Sequence, residues 1–189
     1  MNLVLRRFKS LVCRHEDVLI WCKECQLFKP VPSRLDKKTA FALFLDGSKP
    51  SMNPDLAKAR QRYLELQRDL HPDRQSESSN WSAWLNSAYD ALRDPMKRAE
   101  ILFGIGEEEL DKVQMDSGTL MKVMDLRERI EETERAEELL ELEIENEARI
   151  KEILSLVEGQ EEGACLIGLL AKLRYWIGVR KAINERKQF

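Results

Sequence analysis

Apolar residues recur at spacings of three and four through most of this chain. Between Asp55 and Leu70 a single stripe of Leu56, Ala59, Tyr63, Leu66 and Leu70 predicts an amphipathic helix. Asn53 is placed to cap it, with Pro54 at the first helical position. A second helical pattern runs from Asn80 to Arg93 with Trp81, Trp84, Leu85, Ala88 and Leu92 on its core side; Asp94-Pro95 ends it, and Met96 to Phe103 begins a short further helix. Ahead of these, Lys37 to Leu45 predicts a shorter helix with Phe41 and Phe44 on one face. Pro30, Pro32 and Ser33 precede it, and Gly47, Pro50 and Pro54 punctuate the loop after it. In the second half, Gly118 and Thr119 open a helix that reaches about Glu134. The next runs from Ala136 to Val157 with Leu140, Ile144, Ala148 and the Ile153/Leu154/Val157 cluster on its apolar side. Gly159 and Gly163 bracket a turn, and a last helix carries Leu166, Leu169, Leu170, Leu173, Ile177 and Ile183. Three helices joined by short turns bury one another's stripes. Cys165, at the start of the last one, reads as a small buried core residue. The fold class is all-α: a helical hairpin followed by a carboxy-terminal three-helix bundle.

Composition narrows the functional classes. Of 189 residues, 34% are charged, and no apolar run approaches the roughly 18 residues of a membrane-spanning helix, so no membrane partner is expected. The net charge of −3 is unevenly spread. Residues 1–35 hold seven basic and three acidic side chains, whereas Glu107–Val157 holds seven against seventeen, a local charge of −10 that argues against a nucleic-acid surface there. The four cysteines do not form a secreted disulfide framework, because the chain has ample apolar helix to build a core without staples; a reducing compartment follows.

The amino-terminal segment is distinct. Arg6, Arg7, Lys9 and Arg14 lie among Leu3, Val4, Leu5, Phe8, Leu11 and Val12, with no acid before Glu16. That is the composition of an organelle import sequence; a flexible basic tail is the other reading. Cys22-Lys23-Glu24-Cys25 has the spacing of a knuckle whose thiolates take adjacent corners of a tetrahedral Zn²⁺ site, and Cys13 and His15 are the nearby candidates for the remaining corners. A redox pair and cysteines without a metal are the alternatives; no βαβ pattern surrounds them.

His71-Pro72-Asp73 stands between the two long helices of the first half. Arg60, Leu64 and Arg68 are spaced four apart, so they align along one exposed face that leads to His71. Pro72 cannot continue the helix and disfavours helical geometry at His71, so the chain turns there. Asp73 supplies a carboxylate that organises the loop or meets a partner's cation.

A helix ending at His-Pro-Asp and followed by a partner helix resembles a J-domain, the module that stimulates ATP hydrolysis in seventy-kilodalton heat-shock chaperones. The string AYDALRDPMKRAEILF, from Ala88 to Phe103, resembles one branch in particular, the HscB-like co-chaperones of iron–sulfur cluster biogenesis. That resemblance implies a J-domain over residues 36–106, a scaffold-binding three-helix domain over 107–189 and a separate segment over 1–35. It implies two partners: a mitochondrial-type heat-shock chaperone of the seventy-kilodalton class, met by His71, Pro72, Asp73, Arg60, Leu64, Arg68 and Arg74, and the iron–sulfur cluster scaffold protein. The stretch Thr119 to Glu128 is similar to the family's scaffold-binding helix and Lys172 to Tyr175 to its counterpart on the last helix, which puts the client site on Leu120, Met121, Met124, Asp125, Glu128 and Tyr175. No cofactor is required and no reaction belongs to the chain itself; a structural Zn²⁺ in the amino-terminal segment is the one candidate metal. The expected location is the mitochondrial matrix or a related organelle, with the cytoplasm as the alternative. Glu65 and Asp69 dilute the basic face relative to generic J-domains, which favours a dedicated chaperone. Competing classes are a J-like adaptor that docks proteins without stimulating ATPase, and a thiol or metal enzyme centred on Cys22 and Cys25. The latter lacks a nearby general base and a phosphate loop.

Overall fold

The computed structural model describes residues 21–22, 27–28, 31–32, 37–45, 49–70, 78–160 and 163–188. Two short antiparallel strands, β1 (Trp21–Cys22) and β2 (Leu27–Phe28), pair Trp21 with Phe28 and Cys22 with Leu27. The other elements are helical: α1 (Lys37–Leu45), α2 (Leu56–Asp69), α3 (Ser78–Arg93), α4 (Pro95–Phe103), α5 (Glu107–Asp111), α6 (Ser117–Glu132), α7 (Ala136–Glu158) and α8 (Ala164–Arg186). The all-α class read from the sequence is the class observed. The helices fall into two compact units. One holds α1, α2 and α3; the other holds Pro50–Pro54 together with everything from Asp94 onward. Thus α4, which lies inside the 36–106 segment, clusters with the carboxy-terminal helices.

In the first unit, Phe41 and Phe44 of α1 are buried with Ala59, Leu66 and Leu70 of the α2 region and Trp81, Leu85, Ala88 and Leu92 of α3. Tyr89 ties the three helices together, tilted against Phe44 at 5.9 Å and stacked on Tyr63 at 4.3 Å between ring centroids. The start of α2 differs from expectation. Asp55, not Asn53, is the cap: its carboxylate accepts from the Lys58 amide at 2.9 Å, the favoured charge at a helix amino terminus. Leu56 becomes the first helical residue and is exposed rather than part of the core stripe.

The second unit is built around α8, whose Leu166, Leu170, Ala171, Leu173, Trp176, Ile177, Val179 and Ile183 are all buried. On α7 the residues that pack are Leu139, Leu142, Asn146, Ile150, Ile153, Leu154 and Val157. Leu140, Ile144 and Ala148, expected on the apolar side, face solvent instead. Leu140, Ile144 and Ala148 are each two residues from the nearest members of the Leu142–Asn146–Ile150 stripe, so the two sets lie on nearly opposite faces, and only the one continuous with Ile150, Ile153 and Val157 can share their face. Cys165 is also exposed, not core: it lies in the first turn of α8, just ahead of the buried Leu166.

Helix α4 is fixed at both ends and in its middle. The Asp94 carboxylate accepts from the Met96 and Lys97 amides, Pro95 occupies the first turn, and Gly104 closes the helix at φ 71°, a left-handed conformation that glycine adopts without strain. The buried Arg98 donates from Nε and Nη2 to the Met52 carbonyl at 3.2 and 3.0 Å, and burial lowers its pKa to about 10. Glu158, at the end of α7, holds the same loop by accepting from Ser51 Oγ at 2.7 Å and from the Asn53 amide at 2.8 Å.

Two outcomes follow for stability. Asn146 is fully buried, and neither atom of its amide has a hydrogen-bond partner among the described residues. Since an unsatisfied buried polar group costs about 1–3 kcal/mol, Asn146→Leu is expected to raise the thermal midpoint by several degrees; a lower midpoint would contradict this. Asp116, the cap of α6, accepts from the Thr119 amide and hydroxyl, both at 2.8 Å, and pairs with Lys172 at 3.1 Å. These bonds, the Thr119 amide first, hold its carboxyl at about 2. The stability it contributes is therefore present above its ordinary value near 3.8 and is lost as pH falls through about 2. Asp116→Asn should flatten that acid limb of the melting-temperature profile.

Candidate functional site: two exposed faces on separate units

The first face lies on α2. Ala59, Leu66 and Leu70 commit one side of this helix to the core, which turns Arg60, Leu64 and Arg68 outward. Leu64 is 47% exposed, too open for a core residue. Arg68 folds back along the helix, with Nε donating to the Leu64 carbonyl at 3.3 Å. Glu65, one residue and about 100° further round the helix, pairs with Arg62 at 3.1 Å. Its charge is thus engaged beside, not within, the Arg60–Leu64–Arg68 line. His71, Pro72, Asp73 and Arg74 lie outside the described residues, as do Cys13, His15 and Cys25; of the four candidate zinc ligands only the backbone of Cys22, in β1, is described. Among the described residues no three His, Cys, Asp or Glu side chains gather as a metal site.

The second face is made by α6 and α8. Val123, Leu126 and Ile130 point inward from α6, so the opposite side presents Met121, Met124, Asp125 and Glu128 to solvent. Met121 and Met124 are 70% and 69% exposed, which rules out a core role for either. Leu120 and Tyr175 differ: each is partly buried and rests on the hydrophobic core at the edge of this face. Two contacts align the helices. Lys172 meets Asp116 at the start of α6, and Gly178 packs against the Arg127 guanidinium three turns later. Tyr175, between them on α8, therefore lies alongside the Leu120–Met124 stretch. Its neighbours in the Lys172–Tyr175 string are otherwise occupied: Leu173 is core, Lys172 is paired with Asp116, and Arg174 with Asp111 at 2.6 Å. Past Tyr175 the seam opens into a groove of about 510 Å³ lined by Arg127, Ile130, Glu131, Gly178, Lys181 and Ala182. Periodicity alone gives no signal for this groove, since it depends on a glycine facing a neighbouring helix.

Both faces are open surfaces, suited to protein contact. Residues 115–184, which include the second face, match the family described as the HSCB C-terminal oligomerisation domain. The chain is 29% identical over 182 residues to the human iron–sulfur cluster co-chaperone protein HscB, covering 88% of this chain and 75% of that protein. It is 27% identical over 147 residues to the mitochondrial J-type co-chaperone JAC1 of Saccharomyces cerevisiae, covering 72% and 80%. To the co-chaperone protein HscB homolog of Burkholderia thailandensis it is 32% identical over 121 residues, covering 54% of this chain and 69% of that protein. The crystal structure of human HscB superposes with a TM-score of 0.70 at 28% identity over 93% of each chain. With two helical units and these relatives, the chain belongs to the HscB family of J-type co-chaperones.

Proposed function

We propose that this chain stimulates the ATPase of a seventy-kilodalton heat-shock chaperone through the first unit and delivers to it an iron–sulfur cluster scaffold protein held on the second. The observation that carries this reading is the pair of outward methionines, Met121 and Met124, flanked by Asp125 and Glu128. Methionine is flexible and polarizable, so it fits an irregular partner surface, while the two carboxylates select a basic one. On the first unit, Arg60, Leu64 and Arg68 steer an acidic chaperone surface toward the His71-Pro72-Asp73 motif. Exposed cations act there chiefly on encounter and orientation rather than on folding. The chain itself carries no covalent step in this reading, and no metal takes part in the chaperone contact. The acid-free, basic Met1–Arg14 stretch and the mitochondrial relatives support the mitochondrial matrix as its site of action.

His71→Gln should abolish ATPase stimulation while leaving the helical circular-dichroism spectrum intact; normal stimulation by this variant would end the J-protein reading in favour of a docking adaptor. Met121→Ala combined with Met124→Ala removes two exposed side chains and should leave the cooperative melt within a few degrees of the parent. It should weaken scaffold capture roughly thirtyfold or more, the equivalent of about 2–4 kcal/mol for a contact hot spot. Unaltered scaffold affinity in the folded double variant would remove the client site from α6.

A further inference from the structure

Between α2 and α3 runs a chain of side-chain hydrogen bonds that neither the core nor the proposed contacts account for. The Tyr63 hydroxyl donates to Asn86 Oδ1 at 2.8 Å. Gln67 Nε2 donates both to the Tyr63 oxygen, at 3.2 Å, and to the same Asn86 oxygen. Ser82 Oγ donates to Gln67 Oε1 at 3.1 Å. Gln67 thus spends both amide hydrogens, and Asn86 Oδ1 accepts on both lone pairs. The Tyr63–Tyr89 stack closes one end.

The position of this ladder on α2 is informative. Tyr63 and Gln67 are four apart and half-buried, lying between the buried Ala59–Leu66–Leu70 stripe and the exposed Arg60–Leu64–Arg68 line. The apolar contacts of α2 with α3 are non-directional, so on their own they tolerate some roll or slide of one helix on the other. Hydrogen bonds weaken steeply off their preferred geometry. A ladder placed on this border therefore fixes the roll of α2 about its own axis, and with it the direction in which Arg60, Leu64 and Arg68 project. We propose that Gln67 and Asn86 are positioning residues for the chaperone contact, acting through Arg60, Leu64 and Arg68 without touching the partner. This rests on the reading of that line as the chaperone-binding face.

The test is a titration of a mitochondrial-type heat-shock chaperone's ATPase with the full chain, its Gln67→Leu and Asn86→Leu variants and the double variant, each with a thermal melt. Asn86 is exposed and Gln67 half-buried, so both single variants should fold. Each is expected to raise the half-maximal co-chaperone concentration about three- to tenfold with maximal stimulation retained, since the His71-Pro72-Asp73 motif is left unchanged. The double variant should be no worse than the poorer single, because both remove one coupled ladder. Parent-like half-maximal concentrations in folded variants would overturn the proposal. Additive losses would also overturn it, by assigning direct partner contacts, as would a fall in maximal stimulation that tracks the melting temperature. If the parent chain itself fails to stimulate, it is the co-chaperone function, and with it the premise of the ladder's role, that is lost.

Discussion

Helix α8 is apolar almost all the way round, and the second unit is the arrangement that covers it. No single partner helix can hide residues as far apart in angle as Leu170, Ala171, Leu173 and Trp176. Helices α4, α5, α6 and α7 each contribute one side. This explains why α4 belongs with the carboxy-terminal helices even though it follows α3 after a single residue: its Ala99 joins the core that contains α8. It also explains the polar rim. Arg180 meets Glu147 with two hydrogen bonds, Lys187 meets Glu143, and the Arg149 guanidinium sits 5.0 Å over the Trp176 ring. Partly exposed pairs of this kind contribute little to stability individually, and their order follows the antiparallel packing of α7 on α8.

Because α6 needs only one side for this purpose, its other side is free to carry function. The division is sharp along the helix. Val123, Leu126 and Ile130 stabilise the bundle, whereas Met121 and Met124 add nothing to the core and remain as apolar surface beside Asp125 and Glu128. Leu120 and Tyr175, half-buried at the border, rest on the core and so hold the exposed face in a fixed relation to it.

The residues that were legible from the sequence are those where one physical demand acts alone. The Lys37–Leu45 helix has the bounds expected of it, because apolar spacing and flanking prolines agree. The start of α2 was misread because two short polar residues, Asn53 and Asp55, compete for one cap, and the backbone of Asn53 is taken by Glu158, more than a hundred residues away. The stripe of α7 was misread because the more apolar candidate, Leu140–Ile144–Ala148, lost to one that carries Asn146. A preference for uniformly apolar faces fails wherever a buried polar residue is tolerated. For the two exposed faces, spacing was enough to align Arg60 with Arg68 and Met121 with Glu128. It could not show that Lys172 and Arg174 are taken up by Asp116 and Asp111, since that depends on which acid lies within reach after folding.

The loop at Pro50–Pro54 gives the second unit an unusual relation to the order of the chain. A boundary drawn at Asp94 yields a continuous piece of sequence, but not the complete packing unit. Such a fragment would lack Met52, a core residue that is 1% exposed, together with the carbonyl that accepts from Arg98 and the two donors that meet Glu158. A guanidinium already lowered by burial would lose its main-chain acceptor, and α7 would end in a carboxylate without its two hydrogen bonds. Exchange of the first unit between relatives therefore has to carry these five residues with the recipient bundle, or import a loop that presents a carbonyl at the same point.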